Sequence, residues 1–396
     1  MPEISAEATC GSAQPTMTPG AMAIPPESRA VLHIDLIALR ANWARLNQES
    51  GKAETAGVLK ADAYGLGLEP IARALTAAGC RTFFVATLEE GRRARAIQPG
   101  AIIYILDGLL PGAEAHYAGF DLRPVLSSEP EVRDWAAYCT QLHRHLPAAV
   151  QLDTGMNRLG LQPPDVARLI AEPDLLKSFH VALVMSHLAC ADEPTNPMND
   201  RQRRLFDELR VLLPVAPASL SNSGGTFLGP AFHYDLVRPG IALYGGRAFE
   251  GGDNPMQTVV RLDARILQVR DVAVGDVVGY GGTFTATRPS RIATIACGYA
   301  DGFLRALSSD GNKPGAVGYI GAYPVPVVGR VSMDLITLDV TDVPGNLAQR
   351  GAWVEVMGGR VTVDDLTDRA GTIGYELLSR LSRRVHRVYK GQRSTG

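Results

Sequence analysis

Several signatures of other protein classes are scarce or missing in this sequence of 396 residues. The five cysteines (10, 80, 139, 190 and 297) are odd in number and widely spaced, with no C-x-x-C pair, which argues against a disulfide framework and favours a reducing compartment. The longest charge-free stretch, 211–234, is broken by prolines and polar residues, so no transmembrane helix is predicted. The first 28 residues lack Lys, Arg and a continuous apolar core, so no secretory signal is predicted.

A strong charge of either sign is also missing. Lys and Arg number 39 and Asp and Glu number 41, which gives a formal net charge of −2, whereas a general polyanion binder is usually more basic. The histidines form no H-E-x-x-H or similar spacing, so no metal site is predicted. We therefore expect a cytoplasmic enzyme with neither nucleic acid nor membrane as a partner.

The length predicts more than one domain. Residues 1–28, rich in Pro, Ala, Ser, Thr and Met, are predicted to be a disordered leader. Residues 29–250 are predicted to form one domain and 251–396 a second, and the first strand region is allowed to pack with the second domain.

Short apolar runs alternate with helical patterns in the first domain. Helices are predicted at 129–145 and 200–213. Eight buried strands that alternate with helices are typical of a (β/α)₈ TIM barrel. The eight candidate strands are 57–61, 83–87, 102–106, 122–126, 148–153, 181–188, 219–223 and 236–241.

Beyond about residue 256 the pattern changes to strand-like segments separated by turns rich in Gly, Pro and Asp, with one predicted helix at 372–381. This pattern of short strands and turns predicts a mostly β second domain.

In a (β/α)₈ barrel, functional side chains collect at the carboxyl ends of the strands. The first predicted strand carries Lys60 between apolar neighbours. A buried ammonium is costly unless it is paired or its pKa falls. Lys60 is therefore either one half of an ion pair or a neutral, nucleophilic amine of the kind that forms a Schiff base with a carbonyl.

The loops after strands seven and eight favour the second alternative. Barrels often bind phosphate there, and these loops read Ser223-Gly224-Gly225 and Pro239-Gly240-Ile241. Glycines allow backbone N–H groups to approach phosphate oxygens. A lone Gly-Gly is usually only a turn, but together with a buried lysine it suggests pyridoxal phosphate, a phosphorylated aldehyde.

Six motifs in order make the sequence similar to the alanine racemases, pyridoxal-phosphate enzymes with a barrel domain followed by a β domain. The resemblance covers residues 30–390. Its motifs are V-L-K-A-D-A-Y-G (58–65), D-T-G-M-N-R-L-G (153–160), S-H-L-A (186–189), R-P-G-I-A-L-Y-G (238–245), G-Y-A-D-G (298–302) and G-R-V-S-M-D (329–334).

The resemblance implies two catalytic bases on opposite faces of the substrate. Lys60 would bind the cofactor and act as one base, and Tyr299 would be the other. In the family this tyrosine comes from the partner subunit, so a homodimer with shared sites is implied. An amine and a phenol can both serve only if each pKa falls from about 10 towards neutrality.

The remaining implied roles concern cofactor and substrate. Arg238, with His187 and Asn222 nearby, would face the pyridine nitrogen and, as a guanidinium, leave it unprotonated. Arg158 and the Met333 backbone N–H would bind substrate, Asp301 would orient its loop, and Asp334 would shape the entrance. The phosphate would be held by Tyr64, Ser223, Gly240, Ile241 and Tyr375.

One departure from the family pattern lies beside Arg158. Many relatives have a carbamylated lysine where this chain has Gln151, and glutamine cannot form a carbamate. We expect the neutral amide to hold Arg158 instead, with or without chloride.

The predicted function is interconversion of L- and D-alanine, which supplies D-alanine for peptidoglycan. The alternatives are a broader racemase of lysine, arginine or serine, a decarboxylase of the same architecture, and a pyridoxal-phosphate carrier without enzymatic activity. The basic segment 380–393 is interpreted as a solvated surface, and Cys190 and Cys297 as small buried apolar residues.

Overall fold

The computed structural model describes residues 24–310 and 313–392. The predicted disordered leader therefore lies, up to residue 23, outside the described residues. Strand β1 (Ala30–Asp35) is followed by helix α1 (Leu36–Glu49). The carboxylate of Asp35 accepts the N–H groups of Ile37 and Ala38 at 2.9 and 3.0 Å, which caps the first turn of α1.

Eight parallel strands then form a closed barrel. The first consists of two short segments separated only by Ala56, and the last strand pairs with it. Backbone hydrogen bonds from Asp235 to Ala218 and from Arg238 to Ser221 connect the last strand to the seventh, so the barrel closes. The predicted (β/α)₈ barrel is confirmed. Its strands are β2 (Glu54–Thr55) with β3 (Gly57–Val58), β4 (Thr82–Val85), β5 (Ile102–Ile105), β6 (Arg123–Leu126), β7 (Pro147–Gln151), β8 (His180–Met185), β9 (Ala218–Ser219) and β10 (Leu236–Val237).

The barrel helices bury their apolar faces against these strands. The predicted helix 129–145 ends three residues early because His143 adopts a left-handed φ of 50°. The helix predicted at 200–213 begins earlier because Asn196 caps it. The helices are α2 (Lys60–Tyr64), α3 (Leu68–Ala78), α4 (Leu88–Ile97), α5 (Glu114–Gly119), α6 (Glu129–Leu142), α7 (Pro163–Ile170), α8 (Pro173–Lys177), α9 (Pro197–Arg210) and α10 (Ser223–Thr226).

Seven of the eight barrel strands end earlier than predicted, four of them by three or four residues. The ladders of these four stop at Val58, Met185, Ser219 and Val237. After these points the chain enters turns, including α2, α10 and a 3₁₀ turn at Ile241–Tyr244. The polar residues predicted on strand ends therefore lie in the turns just beyond them, where side chains and backbone N–H groups are free of the ladder.

The second domain is mostly β, as predicted, but it has two helices where one was expected. Its helices are α11 (Val363–Ala370) and α12 (Gly374–Ser379), and its strands are β11 (Val260–Val272), β12 (Val277–Val278), β13 (Phe284–Thr285), β14 (Ser290–Ile295), β15 (Val317–Ile320), β16 (Tyr323–Pro326), β17 (Ile336–Asp339), β18 (Trp353–Met357) and β19 (His386–Lys390).

Strand β1 belongs to the second domain's main sheet rather than to the barrel. It pairs antiparallel with β11, Leu32 opposite Leu262, and parallel with β19, Leu32 opposite Arg387. Val31 and Leu32 have no solvent exposure, and buried residues of the barrel and of the second sheet form one continuous cluster. The two domains are therefore packed around a common core.

Candidate active site

A cavity of about 350 Å³ lies at the carboxyl ends of the barrel strands, a volume typical of a small-molecule site. Ten of the sequence-predicted site residues line it, and Ile241 lies buried next to Gly240. The ten are Lys60, Tyr64, Gln151, Arg158, His187, Asn222, Ser223, Arg238, Gly240 and Tyr375. The other four, Tyr299, Asp301, Met333 and Asp334, are in the second domain and do not line this cavity.

Lys60 is followed by one turn of left-handed helix. Residues Ala61, Asp62, Ala63 and Tyr64 have φ of 54°, 55°, 54° and 55°. This conformation costs an L-residue roughly 1–2 kcal/mol, so the surrounding structure has to impose it. Strain of this kind concentrates at functional sites.

Contacts from the barrel and from the second domain hold this turn. The carboxylate of Asp62 accepts from Arg93 at 2.7 Å and from Arg383 at 3.3 Å. The Asp62 backbone N–H donates to Glu90 at 3.1 Å. Arg387 donates to the carbonyl of Gly65 at 2.8 Å. The lysine is thus presented from a rigid, multiply bonded turn.

The surroundings of Lys60 favour a neutral amine. Burial lowers its pKa from the usual range, and the positive charge of Arg158 lowers it further, against the opposing charges of Asp107 and Glu90. A lysine with a lowered pKa is a better nucleophile and a better base near neutrality. The contacts around Lys60 therefore do not favour the alternative in which it is one half of a simple ion pair.

Arg238 is a buried guanidinium with neutral partners. It is 4% exposed, and burial lowers its pKa to about 9. It donates to the Ser219 hydroxyl and to the Ser186 carbonyl at 2.5 Å, and its Nη2 lies 3.4 Å from Nδ1 of His187. Charge without a carboxylate partner is costly to bury, so its position at the cavity wall indicates a role for a ligand.

The contact with Arg238 also fixes the state of His187. A guanidinium can only donate, so the facing Nδ1 must accept and the imidazole proton is on Nε2. Burial lowers the pKa of His187 to about 3, and the charges of Arg238, Arg158 and Lys60 act in the same direction. His187 therefore remains neutral at physiological pH.

Part of the cavity wall is lined by uncharged hydrogen-bonding groups. Ser223 Oγ accepts from the Gly240 N–H at 2.8 Å, which ties the loops after strands seven and eight together. A Cβ on Gly240 would lie 2.2 Å from the Tyr64 hydroxyl, so only glycine fits there. The Tyr64 and Tyr375 rings are 5.8 Å apart. Hydroxyls and backbone N–H groups of this kind suit a phosphate.

Asn222 supports this part of the wall indirectly. Its Oδ1 accepts from the Gly225 N–H at 3.0 Å and its Nδ2 donates to the Leu188 carbonyl at 3.3 Å. The side chain therefore caps the short α10 turn that carries Ser223.

Gln151 contacts the loop of Arg158 rather than the guanidinium itself. Its Nε2 donates to the carbonyl of Leu159 at 3.2 Å. The same loop is held by Asp153, whose Oδ1 accepts from Gly155 and Asn157 at 2.9 and 3.1 Å. The neutral amide thus fixes the backbone beside Arg158.

The four second-domain residues lie on two adjoining loops, in which Asp301 is buried while Tyr299 and Met333 face outward. Tyr299 is 40% exposed and Met333 is 53% exposed. The two loops are joined by the Tyr299 N–H to the Ser332 carbonyl and the Ala300 N–H to the Met333 carbonyl, both at 3.0 Å. Such residues are available to a site on another chain.

Two features of the site region were missed by the sequence analysis. Asp107 lines the cavity and directly follows a predicted strand, so the same strand-end argument could have found it. The basic segment, interpreted as a solvated surface, does keep Arg383 and Arg384 solvent-exposed. These two arginines also form ion pairs with Asp62, Asp301 and Asp334, and no local pattern reveals those distant partners.

Within 24–310 and 313–392, no helix has the length and apolarity needed to cross a membrane. Over the same ranges, no cluster of three or more His, Cys, Asp or Glu is arranged to hold a metal ion.

Comparison with known proteins gives the family. Residues 34–248 match the alanine racemase N-terminal domain and 259–389 the C-terminal domain. Relatives named alanine racemase from Rhizobium meliloti (strain 1021) and Methylobacterium sp. (strain 4-46) are both 49% identical, covering 91% of this chain and 96% and 97% of theirs. A crystal structure of alanine racemase from Bartonella henselae, with covalently bound pyridoxal phosphate, has a TM-score of 0.87 at 39% identity and covers 91% of this chain and 99% of its own. The chain belongs to the alanine racemase family.

Proposed function

We propose that this protein interconverts L- and D-alanine with pyridoxal phosphate held in the barrel cavity. The observation that carries the proposal is the arrangement of three groups along one cavity: the Lys60 amine, the buried Arg238 guanidinium, and the uncharged cradle around Ser223 and Gly240. Each has a counterpart in the cofactor, namely an aldehyde, a pyridine nitrogen and a phosphate. The residues present therefore fit this group.

When bound, pyridoxal phosphate supplies an aldehyde that links covalently to an amine and a ring that stabilises negative charge on the substrate's Cα. Lys60 would form the covalent link, with Tyr64, Ser223, Gly240, Ile241 and Tyr375 at the phosphate. Arg238 cannot give up its proton to the ring nitrogen. Weak electron withdrawal by an unprotonated ring favours return of the proton to Cα over side reactions.

Inversion at Cα requires one proton carrier on each face of the planar centre. The Lys60 amine, with its lowered pKa, serves one face. We propose that Tyr299 of a second copy serves the other, because in its own chain Tyr299 is half-exposed and does not line the cavity. The functional unit is then a homodimer with two shared sites.

Arg158 and the Met333 backbone N–H of the second copy are proposed to bind the substrate carboxylate. Arg158 lies on the cavity wall, and its planar fork suits an oxyanion. Gln151 and Asp153 keep its loop in place. Asp334 and Asp301 are proposed as supporting residues of the Tyr299 and Met333 loops.

We further propose that the protein works in the cytoplasm and supplies D-alanine for peptidoglycan, with neither nucleic acid nor a membrane as a partner. The near-zero net charge supports the proposal that neither nucleic acid nor a membrane is a partner. The carrier alternative leaves the second domain without a role, because a pyridoxal-phosphate carrier needs only the barrel. A decarboxylase is disfavoured by the G-Y-A-D-G and R-P-G-I-A-L-Y-G motifs.

Substrate breadth is tested with purified protein and pyridoxal phosphate in D₂O. L-alanine, L-serine, L-lysine and L-arginine are incubated separately and analysed by chiral chromatography and mass spectrometry. Inversion of alanine alone, with deuterium at Cα, is expected. Comparable inversion of the other three would replace the proposal with a broad racemase, and release of CO₂ would replace it with a decarboxylase.

Cofactor attachment is tested with Lys60→Ala and, as a matched control, Lys52→Ala on the exposed surface. Lys60→Ala should lose the visible absorbance band of lysine-bound cofactor, because the amine that forms the link is gone. Lys52→Ala should keep it. A normal band in Lys60→Ala would reject Lys60 as the attachment site.

A further inference from the structure

Arg384 bonds to carboxylates on two different loops. Its Nε donates to Oδ1 of Asp301 at 2.6 Å and its Nη2 to Oδ2 of the same residue at 3.0 Å. The same Nη2 donates to Oδ1 of Asp334 at 2.6 Å. Bidentate contacts between a guanidinium and a carboxylate fix the relative orientation of the two side chains, and they are stronger than single hydrogen bonds.

Each of these carboxylates belongs to a loop with a proposed functional group. Asp301 is two residues after Tyr299, is nearly fully buried, and also accepts the Gly298 N–H at 2.8 Å. Asp334 follows Met333 directly. The loops are so close that a Cβ on Gly298 would lie 2.3 Å from the Met333 carbonyl oxygen. Arg384 therefore holds two loops that already touch.

The exposed side chains of these loops need such a brace. Tyr299 and Met333 project from the surface of their own chain, so packing by their own domain does not locate them. Their positions are set by the backbone beneath, and that backbone is held by Asp301, Asp334 and Arg384.

We propose that Arg384 is a positioning residue that sets the Tyr299 hydroxyl and the Met333 N–H for the active site of the partner subunit. The inference rests on the proposed function, in which these two groups complete a neighbouring site. Arg384 itself touches neither substrate nor cofactor. It acts through the backbone of the two loops.

A competing role is suggested by the residues next to Arg384. Arg383 contacts Asp62 in the turn after Lys60, and Arg387 contacts Gly65 in the same turn. Through this segment Arg384 could instead affect the lysine of its own chain. The two roles differ in which subunit's site is damaged when Arg384 is replaced.

Hybrid dimers distinguish the two roles. Two chains with different tags are co-expressed and purified through both tags, so that every dimer contains one copy of each. The reference hybrid pairs Lys60→Ala with Tyr299→Phe. It should have about half of the wild-type activity, since one of its two symmetric sites is intact. An inactive reference hybrid would contradict the proposed shared site itself, independently of Arg384.

Arg384→Met is then paired with each partner in turn. With Lys60→Ala, one site has an intact lysine and an intact tyrosine loop, so we expect activity equal to that of the reference hybrid. With Tyr299→Phe, neither site has an intact loop, and activity should stay near that of Arg384→Met alone. If activity were instead recovered with Tyr299→Phe and not with Lys60→Ala, Arg384 would act on the lysine turn of its own chain and the proposal would be overturned. If activity were recovered with neither partner, Arg384 would have only a general role in folding.

Two further measurements keep the proposal falsifiable if Arg384→Met folds poorly. As a homodimer, Arg384→Met should lose about 10²-fold in kcat, because the Tyr299 and Met333 loops are slightly misplaced. Arg384→Lys should recover part of the lost kcat. Arg380→Met, which replaces an exposed arginine of the same segment, should leave kcat unchanged. Hydrogen exchange at Tyr299 and Ala300 should become faster in both Arg384 variants. Unchanged exchange there, or faster exchange confined to residues 61–65, would contradict the proposal.

Discussion

At the scale of single residues, two side chains of the cavity hold each other in unusual states. Arg238 has only neutral acceptors, and His187 is one of them at 3.4 Å. The guanidinium forces Nδ1 of His187 to accept, so the imidazole is kept neutral. In return the imidazole is a partner that adds no negative charge beside the ring of the proposed cofactor.

The low pKa of His187 predicts a loss of stability in mild acid. The folded pKa is about 3 against an ordinary value of 6.5, so below pH 6.5 the unfolded chain binds a proton that the folded chain does not. Between pH 7.5 and 5.5 this should cost about 1.4 kcal/mol of unfolding free energy. His187→Gln should reduce the pH dependence of urea unfolding by that amount at matched cofactor loading.

The control for this prediction lies on strand β8, which leads to His187. His180 begins β8 and is exposed, so His180→Gln should leave the pH dependence unchanged. If the unfolding free energy depended on pH equally in wild type and in His187→Gln, His187 would not be held neutral by its surroundings.

At the scale of elements, the turn after Lys60 uses strain to present the amine. Four consecutive residues are left-handed, and ion pairs from Arg93 and Arg383 to Asp62 maintain them. A regular strand would alternate its side chains between the two faces of the sheet. The turn instead stops the strand at Val58 and fixes the direction of Lys60 at the mouth of the barrel.

Two alanine-to-glycine changes test that strain. Ala61 is exposed with φ of 54°, so Ala61→Gly removes the left-handed penalty at the cost of glycine's extra chain entropy, for a net gain of up to about 1 kcal/mol. Ala137 is exposed in the middle of helix α6, and Ala137→Gly should lose about 1 kcal/mol. Urea unfolding measures both, and a loss in Ala61→Gly as large as that in Ala137→Gly would contradict a strained turn.

Periodicity and strand-end polarity predict much of this architecture. The alternating pattern identifies all eight barrel strands, and the strand ends together with the family resemblance identify ten residues that line the cavity. Apolar runs overestimate strand length, because the ladder is ended by tertiary contacts such as those of Asp62 with Arg93 and Arg383. Those contacts join residues 31 and 321 positions apart, and nothing in a local window encodes them. The same holds for Arg384, whose partners lie 83 and 50 positions away.

At the scale of the whole molecule, the first and the last described strands, β1 and β19, lie in the same sheet of the second domain. In the second sheet, strand β1 lies between its neighbours β11 and β19. Along the chain, all of the barrel strands come after β1 and before β11. Asn42 of α1 strengthens this connection, since it donates to the Leu243 and Gln257 carbonyls at 3.2 and 2.9 Å. The loops that carry Tyr299 and Met333 are thereby held in a fixed relation to the barrel.

This arrangement predicts that the two domains unfold together. Leu32→Ala, in the middle of β1, should cost about 2–5 kcal/mol and lower hydrogen-exchange protection equally in barrel strand β5 and in β18 of the second sheet. Leu212→Ala, at a site 49% exposed, should change stability by no more than about 0.5 kcal/mol. Loss of protection in β18 alone would show that the domains are energetically independent.

The central claim is that two bases from different chains act on opposite faces of alanine, and Tyr299→Phe in D₂O tests it most directly. The experiment follows inversion and deuterium uptake at Cα for L- and D-alanine separately, with cofactor binding verified by the visible band. We predict that inversion is lost in both directions while deuterium uptake persists for the one enantiomer whose Cα proton faces Lys60. Near-normal inversion, or equal loss of uptake from both enantiomers with cofactor still bound, would contradict the two-base account.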